Sequence, residues 1–397
     1  MVQTNGTADM AAMLATGQAT SVPTLISVDV GNVNVKLKKG GVWVVESSRV
    51  AKAPVDQSFS LGGIGLPVFT YLGGPANLHP TPYFVGDTAE LSGATTLPIV
   101  GTAERRVKSA AYLVLHLYSI LQSLSPQHMY EKRDGYNGEP TLSAYVRFAG
   151  GVPQEDATNQ PVVTELRRRL SGKRQRGDTA KPHFIKYGPP GQERVYQITI
   201  ENSLVYPQPV GGYASHVLDP HGNLDDDRSL NMYFLLDIGG GTTDMDAWVG
   251  LNPLQGMGGS VSRGIHNVAQ AALHHIQRDH PQLRSTDPGR VLDCIRRKQP
   301  RLQIGRQWVD VSQQIGWGLH EVGEEILGTV NRLWGSRLAD GEVLIFGGGG
   351  DDMHAYIAEQ LRGVTDVTLL ENPVTTVADG FEKMAKFSLK QQGQEWR

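Results

Sequence analysis

A single cysteine, Cys294, stands in 397 residues, so no intramolecular disulfide can form, and no Cys/His spacing resembles a zinc site. No basic residue precedes Lys36, whereas a secretory signal needs a positively charged start and a longer apolar core than residues 10–15 supply. No apolar run approaches the roughly 18 residues of a membrane span. The expectation is a cytoplasmic protein without a membrane partner. An excess of one charge is missing too: 37 Lys plus Arg meet 40 Asp plus Glu, a net charge of −3, which argues against a dedicated nucleic-acid binder. The chain lacks a repeat of 20–50 residues, so a solenoid is excluded. It also lacks G-x-x-x-x-G-K-[ST], G-x-S-x-G and H-E-x-x-H. Its glycine clusters fail G-x-G-x-x-G, because Gly239 and Gly241 lead to Asp244 and Gly347 and Gly349 lead to Asp352. P-loop and Rossmann sites are thereby set aside, as are the nucleophile elbow and the zincin helix.

What the chain has in excess is glycine: 47 residues, about 12% against a usual ~7%. The length suggests about two domains, and 39% apolar residues suffice for cores of that size. Three segments stand out. In 24–37, an apolar run ends at Asp29-Val30-Gly31-Asn32 and returns as alternating Val33, Val35 and Leu37 with polar Asn34 and Lys36, a half-buried strand. In 232–249, the run Tyr233–Leu236 leads into Asp237-Ile238-Gly239-Gly240-Gly241-Thr242-Thr243-Asp244 and a return strand through Trp248. In 342–361, Val343-Leu344-Ile345-Phe346 runs into Gly347–Gly350, with a helix opening at Asp351-Asp352. Between them, 105–124, 265–276 and 311–338 have helical apolar spacing. Strands interleaved with helices give an α/β fold. The Pro- and Gly-rich stretches 53–82, 125–140 and 171–191 read as long surface loops, and 1–22 as a flexible arm.

A strand that ends in Asp and turns through glycine exposes backbone N–H groups to a phosphate, because no Cβ blocks the approach. The Asp can hold Mg²⁺ through its water shell. Two such turns about 200 residues apart suggest two half-molecules gripping one polyphosphate, with Thr242 and Thr243 as hydroxyl donors and Lys36 as a point charge.

These residues resemble motifs of the actin superfamily. Asp29-x-Gly31 with Lys36 is similar to its first phosphate motif, 237–244 to its second, and 344–349 to its adenosine motif. Tyr83-Phe84-Val85-Gly86-Asp87-Thr88-Ala89 resembles the "VG..A" segment of the prokaryotic ParM/StbA-type actin-like proteins. Val205-Tyr206-Pro207-Gln208-Pro209 resembles their first connecting segment, and Val377-Ala378-Asp379-Gly380 sits where the second falls. The resemblance runs over about 24–389. It implies an actin-like ATPase fold of two related, ribonuclease H-like domains flanking a nucleotide cleft: domain I over 23–215 with a return of 376–397, and domain II over 216–375. It also implies an NTP hydrolase using ATP, or alternatively GTP, with Mg²⁺. Such a protein polymerises into filaments for plasmid or DNA segregation or another cytoskeletal role, with a DNA-bound adaptor protein as a further partner. Gln208 would orient the attacking water, and Asp237 would be catalytic and, with Asp29, hold Mg²⁺ through water. Gly31, Asn32, Val33, Asn34, Lys36, Gly239–Gly241, Thr242, Thr243 and Gly347–Gly350 would bind nucleotide. The alternatives are a small-molecule kinase of the same superfold, or a nucleotide-gated, chaperone-like binding protein.

The remaining features have plainer readings. Arg167-Arg168-Arg169 with Lys173, Arg174 and Arg176 reads as a solvated helix end, and Asp225-Asp226-Asp227 as a solvated loop. His274-His275 lies on an amphipathic helix without a second ligand pair. Gly258, Gly259 and Gly264 either shape the nucleotide site or form a simple loop. Arg297 and Lys298 carry little weight as contacts to base or ribose.

Overall fold

The computed structural model describes residues 22–54, 65–99, 103–175 and 178–396. The arm expected over 1–22 lies, but for Val22, outside them. The chain divides into two compact units, one of Met1–Val152, Asn159–Tyr206 and Met384–Arg397, the other of Pro153–Thr158 and Pro207–Lys383.

The first unit is built on a ten-stranded sheet. From one edge its strands run Val42–Ser47, Asn34–Lys39, Thr24–Val30, Thr141–Val152, Arg194–Pro207, Pro182–Gly188, Val68–Gly73, Pro82–Val85 and Val50–Lys52, with Tyr130–Lys132 beside Thr141–Val152. Thr24–Val30 pairs parallel with Thr141–Val152 and antiparallel with Asn34–Lys39, where Asp29 faces Lys36. The alternation seen in the sequence holds: Val35 and Leu37 are buried, and their polar neighbours are not. The helix Ala110–Ser123 packs on these two strands. It is nearly all apolar and is buried on every side, as a helix without a polar face must be. The expected single helix 105–124 is in fact two, Ala103–Lys108 and Ala110–Ser123. Ser109 interrupts them with extended ψ of 134° at the second helix's N-cap.

All three of the expected loops contain strands. Pro182–Gly188 buries His183 and Ile185 on one face, and Val68–Gly73 pairs with it antiparallel. The alternation was hidden because a histidine holds an inward position: His183 is wholly buried and its ring bonds the Leu170 carbonyl at 2.6 Å and the Tyr71 hydroxyl at 3.2 Å. Within 125–140, the strand Tyr130–Lys132 lies between two 3-10 turns. Of the arginine cluster read as a solvated helix end, Arg167 and Arg174 are exposed and Arg176 lies outside the described residues, but Arg169 departs from that reading. Arg169 is buried and donates to the carbonyls of Ala76 and Val107. Arg168 pairs with Glu165 at 2.7 Å, and Arg167 donates to the Val205 carbonyl. The edge strand Val42–Ser47 exposes Val42 and Val45. Beside it Lys38 stands over the Trp43 ring, and Lys39 pairs with the buried Glu46, which also accepts from Tyr118.

The second unit carries a sheet in the order Asn252–Pro253, Thr243–Val249, Met232–Ile238, Glu342–Phe346, Asp366–Leu369, with Gly259–Val261 added to Thr243–Val249. Every residue of the central strand Met232–Ile238 is buried, the pattern of a strand covered on both faces. Glu342–Phe346 is parallel to it on one side and Thr243–Val249 antiparallel on the other. The helices Ile265–Asp279 and Ser312–Trp334 pack on each other, and Trp334 closes the core against Phe234. The second helix was expected over 311–338. It ends at Trp334, where Gly335 takes φ +46° and a 3-10 turn, Gly335–Asp340, follows; glycine there allows the left-handed stop. Among the described residues no helix is long and apolar enough to cross a membrane.

Candidate functional site

In the first unit the turn after Thr24–Val30 is closed by the Gly31 N–H donating to the Asn34 carbonyl at 3.1 Å. Lys36 Nζ meets Asp29 Oδ2 at 2.7 Å, and both are largely buried. A Cβ on Gly31 would come within 3.0 Å of the Asn34 carbonyl and 3.3 Å of Lys36 Nζ, so glycine leaves room for the lysine. Asn32 is exposed and Val33 and Asn34 are half-buried at the turn's outer side. The sequence reading missed Ser48, whose hydroxyl donates to the Gly31 carbonyl at 2.7 Å and whose N–H donates to Val33 at 2.8 Å. No motif marks it. Beneath the turn lies His116, wholly buried, with burial pushing its pKa down to about 4 against the opposing pull of the Tyr112 carbonyl and the Asp29 charge.

In the second unit three glycine-bearing segments converge. The first is the turn after Met232–Ile238, where the Gly239 N–H donates to the Thr242 carbonyl at 2.8 Å and Asp237 faces Asp244 across the strand pair. The second is Gly347–Gly350, which follows Glu342–Phe346. The Gly349 N–H donates to the Ile238 carbonyl at 2.8 Å. Gly347 has φ +90°, and a Cβ there would overlap the Asp237 carboxylate. The third is Gly264, at the N-cap of the helix Ile265–Asp279. The N–H groups of Ile265 and His266 donate to the carbonyls of Gly239 and Gly240 at 3.1 and 2.8 Å. A Cβ on Gly264 would stand 2.5 Å from the first carbonyl and 2.7 Å from the second, so this glycine belongs to the site. The available signal was its place directly before an amphipathic helix.

The glycines thus differ in what they do. Gly347, Gly349 and Gly264 let backbones meet one another, whereas a Cβ on Gly241 or Gly348 would touch nothing within 4 Å. Those two face open space. Gly350 begins the helix Gly350–Gln360, with Asp351 and Asp352 in its first turn. Thr242 and Gly240 are half-buried at the turn. Thr243 is wholly buried and its hydroxyl donates to the Arg263 carbonyl at 2.8 Å, so it fastens the segment before Gly264 to the turn. His266 is partly buried, its Nε2 has no hydrogen-bond partner, and burial followed by the Arg296 charge lowers its pKa.

Gln208 opens the helix Gln208–Val217, directly after Pro207 ends the preceding strand, and is half-buried. That helix packs on Met232–Ile238. Gly212 lies against the ring of Phe346, the residue before Gly347, and Gly211 meets the backbone of Gly380 so closely that a Cβ on Gly380 would overlap it. Val377–Gly380 falls in the first turns of the helix Thr376–Gln391. Gly86 takes φ +67°, and a Cβ there would lie 2.8 Å from the Glu46 carboxylate and 3.3 Å from the Tyr118 ring; the "VG..A" glycine makes room for the buried Glu46 carboxylate and the Tyr118 hydroxyl that donates to it. Lys298 pairs with Asp351 at 2.9 Å. Asp225 caps the short helix Asp226–Ser229 through the Arg228 N–H. His275 stacks edge-on against Trp317 and faces Glu321. Among the described residues no group of three or more His, Cys, Asp or Glu is placed to hold a metal ion directly.

No curated protein sequence matches the chain significantly. Residues 235–359 match the family model of the archaeal actin homologue MreB-like, C-terminal, a span holding all three converging segments. Among solved structures, the archaeal actin homologue Ta0583 superposes with a TM-score of 0.69 at 16% identity, covering 92% of this chain and 99% of that one; it has also been solved in complex with ADP. The actin-like protein Alp7A gives 0.68 at 17% identity, covering 93% and 98%. A subunit of a 15-stranded ParM filament from Clostridium botulinum gives 0.62 at 16% identity, covering 92% and 99%. The chain has the two-domain α/β fold of these actin-like proteins, and residues 235–359 of it match the C-terminal family model of the MreB-like archaeal actin homologue.

Proposed function

We propose that the chain binds ATP or GTP with Mg²⁺, hydrolyses it, and assembles with copies of itself into filaments. The observation that carries the reading is the convergence of Gly239–Gly241, Gly264 and Gly347–Gly349 at the end of the strand that carries Asp237, with Gly241 and Gly348 left open. Main-chain N–H groups held this way suit an anion and cost little reorganisation when it arrives. Asp237 and Asp244 are both buried and directly opposed, a pairing that disfavours two negative charges and suits a nearby cation. Asp237, and Asp29 in the first unit, would hold Mg²⁺ through its waters, and the ion would neutralise charge developing on the phosphates. Lys36 would turn from Asp29 towards phosphate, supported by the Gly31–Asn34 turn, and Gln208 would place the attacking water by hydrogen bonding, since a glutamine does not titrate. The relatives' ADP complex and ParM filament favour this reading. DNA segregation through an adaptor in the cytoplasm is the task we assign to the filament, without direct nucleic-acid or membrane contact.

Phosphate release and nucleotide binding, measured on purified protein with Mg²⁺, test the site. Asp237→Ala should abolish turnover, and Gln208→Ala should keep binding while slowing hydrolysis about a hundredfold or more. Wild-type release from both variants would overturn the assignment.

A further inference from the structure

The second unit has few exposed large apolar side chains, and they fall at two places. Leu230 is 79% exposed, Val364 48% and Leu251 39%; Trp308 is 64% exposed. The first three share one end of the sheet. Leu230 lies two residues before Met232, which pairs with Val249, so Leu251 stands opposite it. Val364 lies two residues before Asp366, which pairs through Glu342 with the same strand start. Beside Leu230 stand Asp225, Asp226 and Asp227, all exposed. The arginines of that end, Arg228, Arg337 and Arg362, each pair with a neighbouring carboxylate. This end is apolar with an acidic rim.

Trp308 lies on a two-stranded hairpin, Arg301–Ile304 with Gln307–Asp310, that joins no other sheet among the described residues. Residues 288–308 hold Arg290, Arg296, Arg297, Lys298, Arg301 and Arg306 against one carboxylate, Asp293, in a chain whose net charge is −3. Arg290 reaches the Gln303 carbonyl at 3.2 Å, so it stands beside the hairpin. Two features place the hairpin away from the acidic end. Lys298, just before it, pairs with Asp351 at the far end of Glu342–Phe346. The helix Ser312–Trp334, just after it, has 23 residues, about 34 Å of rise, and its far end delivers the chain to Gly341, whose carbonyl accepts from Thr365.

We infer that the Trp308 hairpin of one copy docks on the Leu230–Leu251–Val364 patch of the next, its arginines facing Asp225–Asp227. An exposed tryptophan among arginines has the composition of an interface anchor, and the opposing patch supplies apolar area and opposite charge. The two surfaces lie at opposite ends of one compact unit, so neither can satisfy the other within a chain. A contact between unlike surfaces propagates head to tail and yields an open polymer where the rotation between copies does not close a ring. The inference rests on the assembly proposed above and names its contact.

Two full-length chains test it, both carrying Cys294→Ala, one with Trp308→Cys and the other with Leu230→Cys. Mixed under mild oxidation with Mg²⁺ and a slowly hydrolysed ATP or GTP analogue, they should cross-link to each other and not to themselves. Trp308→Ala should raise the protein concentration needed for sedimentation at least about tenfold while nucleotide binding stays at the wild-type value. Arg306→Glu and Asp226→Lys should each weaken assembly, and an equal mixture of the two should recover part of it. Cross-links only within one variant, or unaltered assembly by Trp308→Ala, would overturn the contact. So would assembly intact beside salt-sensitive retention of duplex DNA that Trp308→Ala abolishes, since the hairpin would then be a nucleic-acid surface. Loss of nucleotide binding by the wild type would instead defeat the proposed function itself.

Discussion

Gly347 shows how little a single atom leaves to choice. Its φ of +90° excludes an ordinary side chain, and the Asp237 carboxylate occupies the place where a Cβ would go. Gly347→Ala should therefore displace Asp237 and remove nucleotide binding, with a loss of stability above about 1 kcal/mol; calorimetric titration and thermal melting read the two effects. Gly348→Ala differs, because its Cβ would meet no protein atom. It should fold as the wild type does and lose affinity only if nucleotide approaches there. His116 and His183 lie wholly buried in the first unit, each with its pKa pushed from 6.5 down to about 4 by burial. Asp29 faces the first and Tyr71 the second. Both stay neutral in the fold while the unfolded chain takes up protons below about pH 6.5, so the folded form loses stability as pH falls through that window. Each histidine should account for a loss of the order of 3 kcal/mol between pH 6.5 and 4. Urea denaturation at pH 7 and pH 5 should show a shallower dependence for His183→Gln than for the wild type.

At the scale of elements, the helix Gln208–Val217 is held against Thr376–Gln391 by glycine on glycine, with Gly211 and Gly380 in backbone contact. Gly380→Ala should force the helices apart, cost about 1–3 kcal/mol or more, and slow turnover through Gln208 at the first helix's start. A matched drop in melting temperature and hydrolysis would show the coupling; unchanged hydrolysis in a destabilised variant would refute it. The glycine turns were legible in the sequence because their demand is local: a strand, an Asp, and residues without a Cβ. The central strand Met232–Ile238 was legible because burial on both faces leaves an unbroken apolar run. What stayed hidden depended on distant partners. Pro182–Gly188 places a histidine inward because Leu170 and Tyr71 hold its ring. Arg169 goes inside because two carbonyls, from Ala76 and Val107, converge on it. Gly264 joins the site only once its helix is docked on the carbonyls of Gly239 and Gly240.

At the scale of the whole molecule, assembly through an arginine-bearing hairpin and an acidic patch should be sensitive to salt. Exposed charges are screened beyond about 10 Å at 0.1 M ionic strength and beyond about 3 Å at 1 M. The protein concentration required for sedimentation should rise between those salts for the wild type and change less for Arg306→Gln. The actin-like fold was readable from three ordered motifs, whereas the surfaces of contact were not, because exposure and charge clustering are properties of the folded unit. The strand Val42–Ser47 bears on the same experiments from another side. Among the described residues it ends a ten-stranded sheet with valines outward, and an edge of that kind invites disordered clumping of sheet against sheet. The lysines of the adjoining strand act as guards for colloidal solubility: Lys38 covers Trp43, and Lys39 is anchored by Glu46. Turbidity that grows when these lysines are acetylated, and that ignores nucleotide, is therefore the signature of a spoiled edge rather than of a filament.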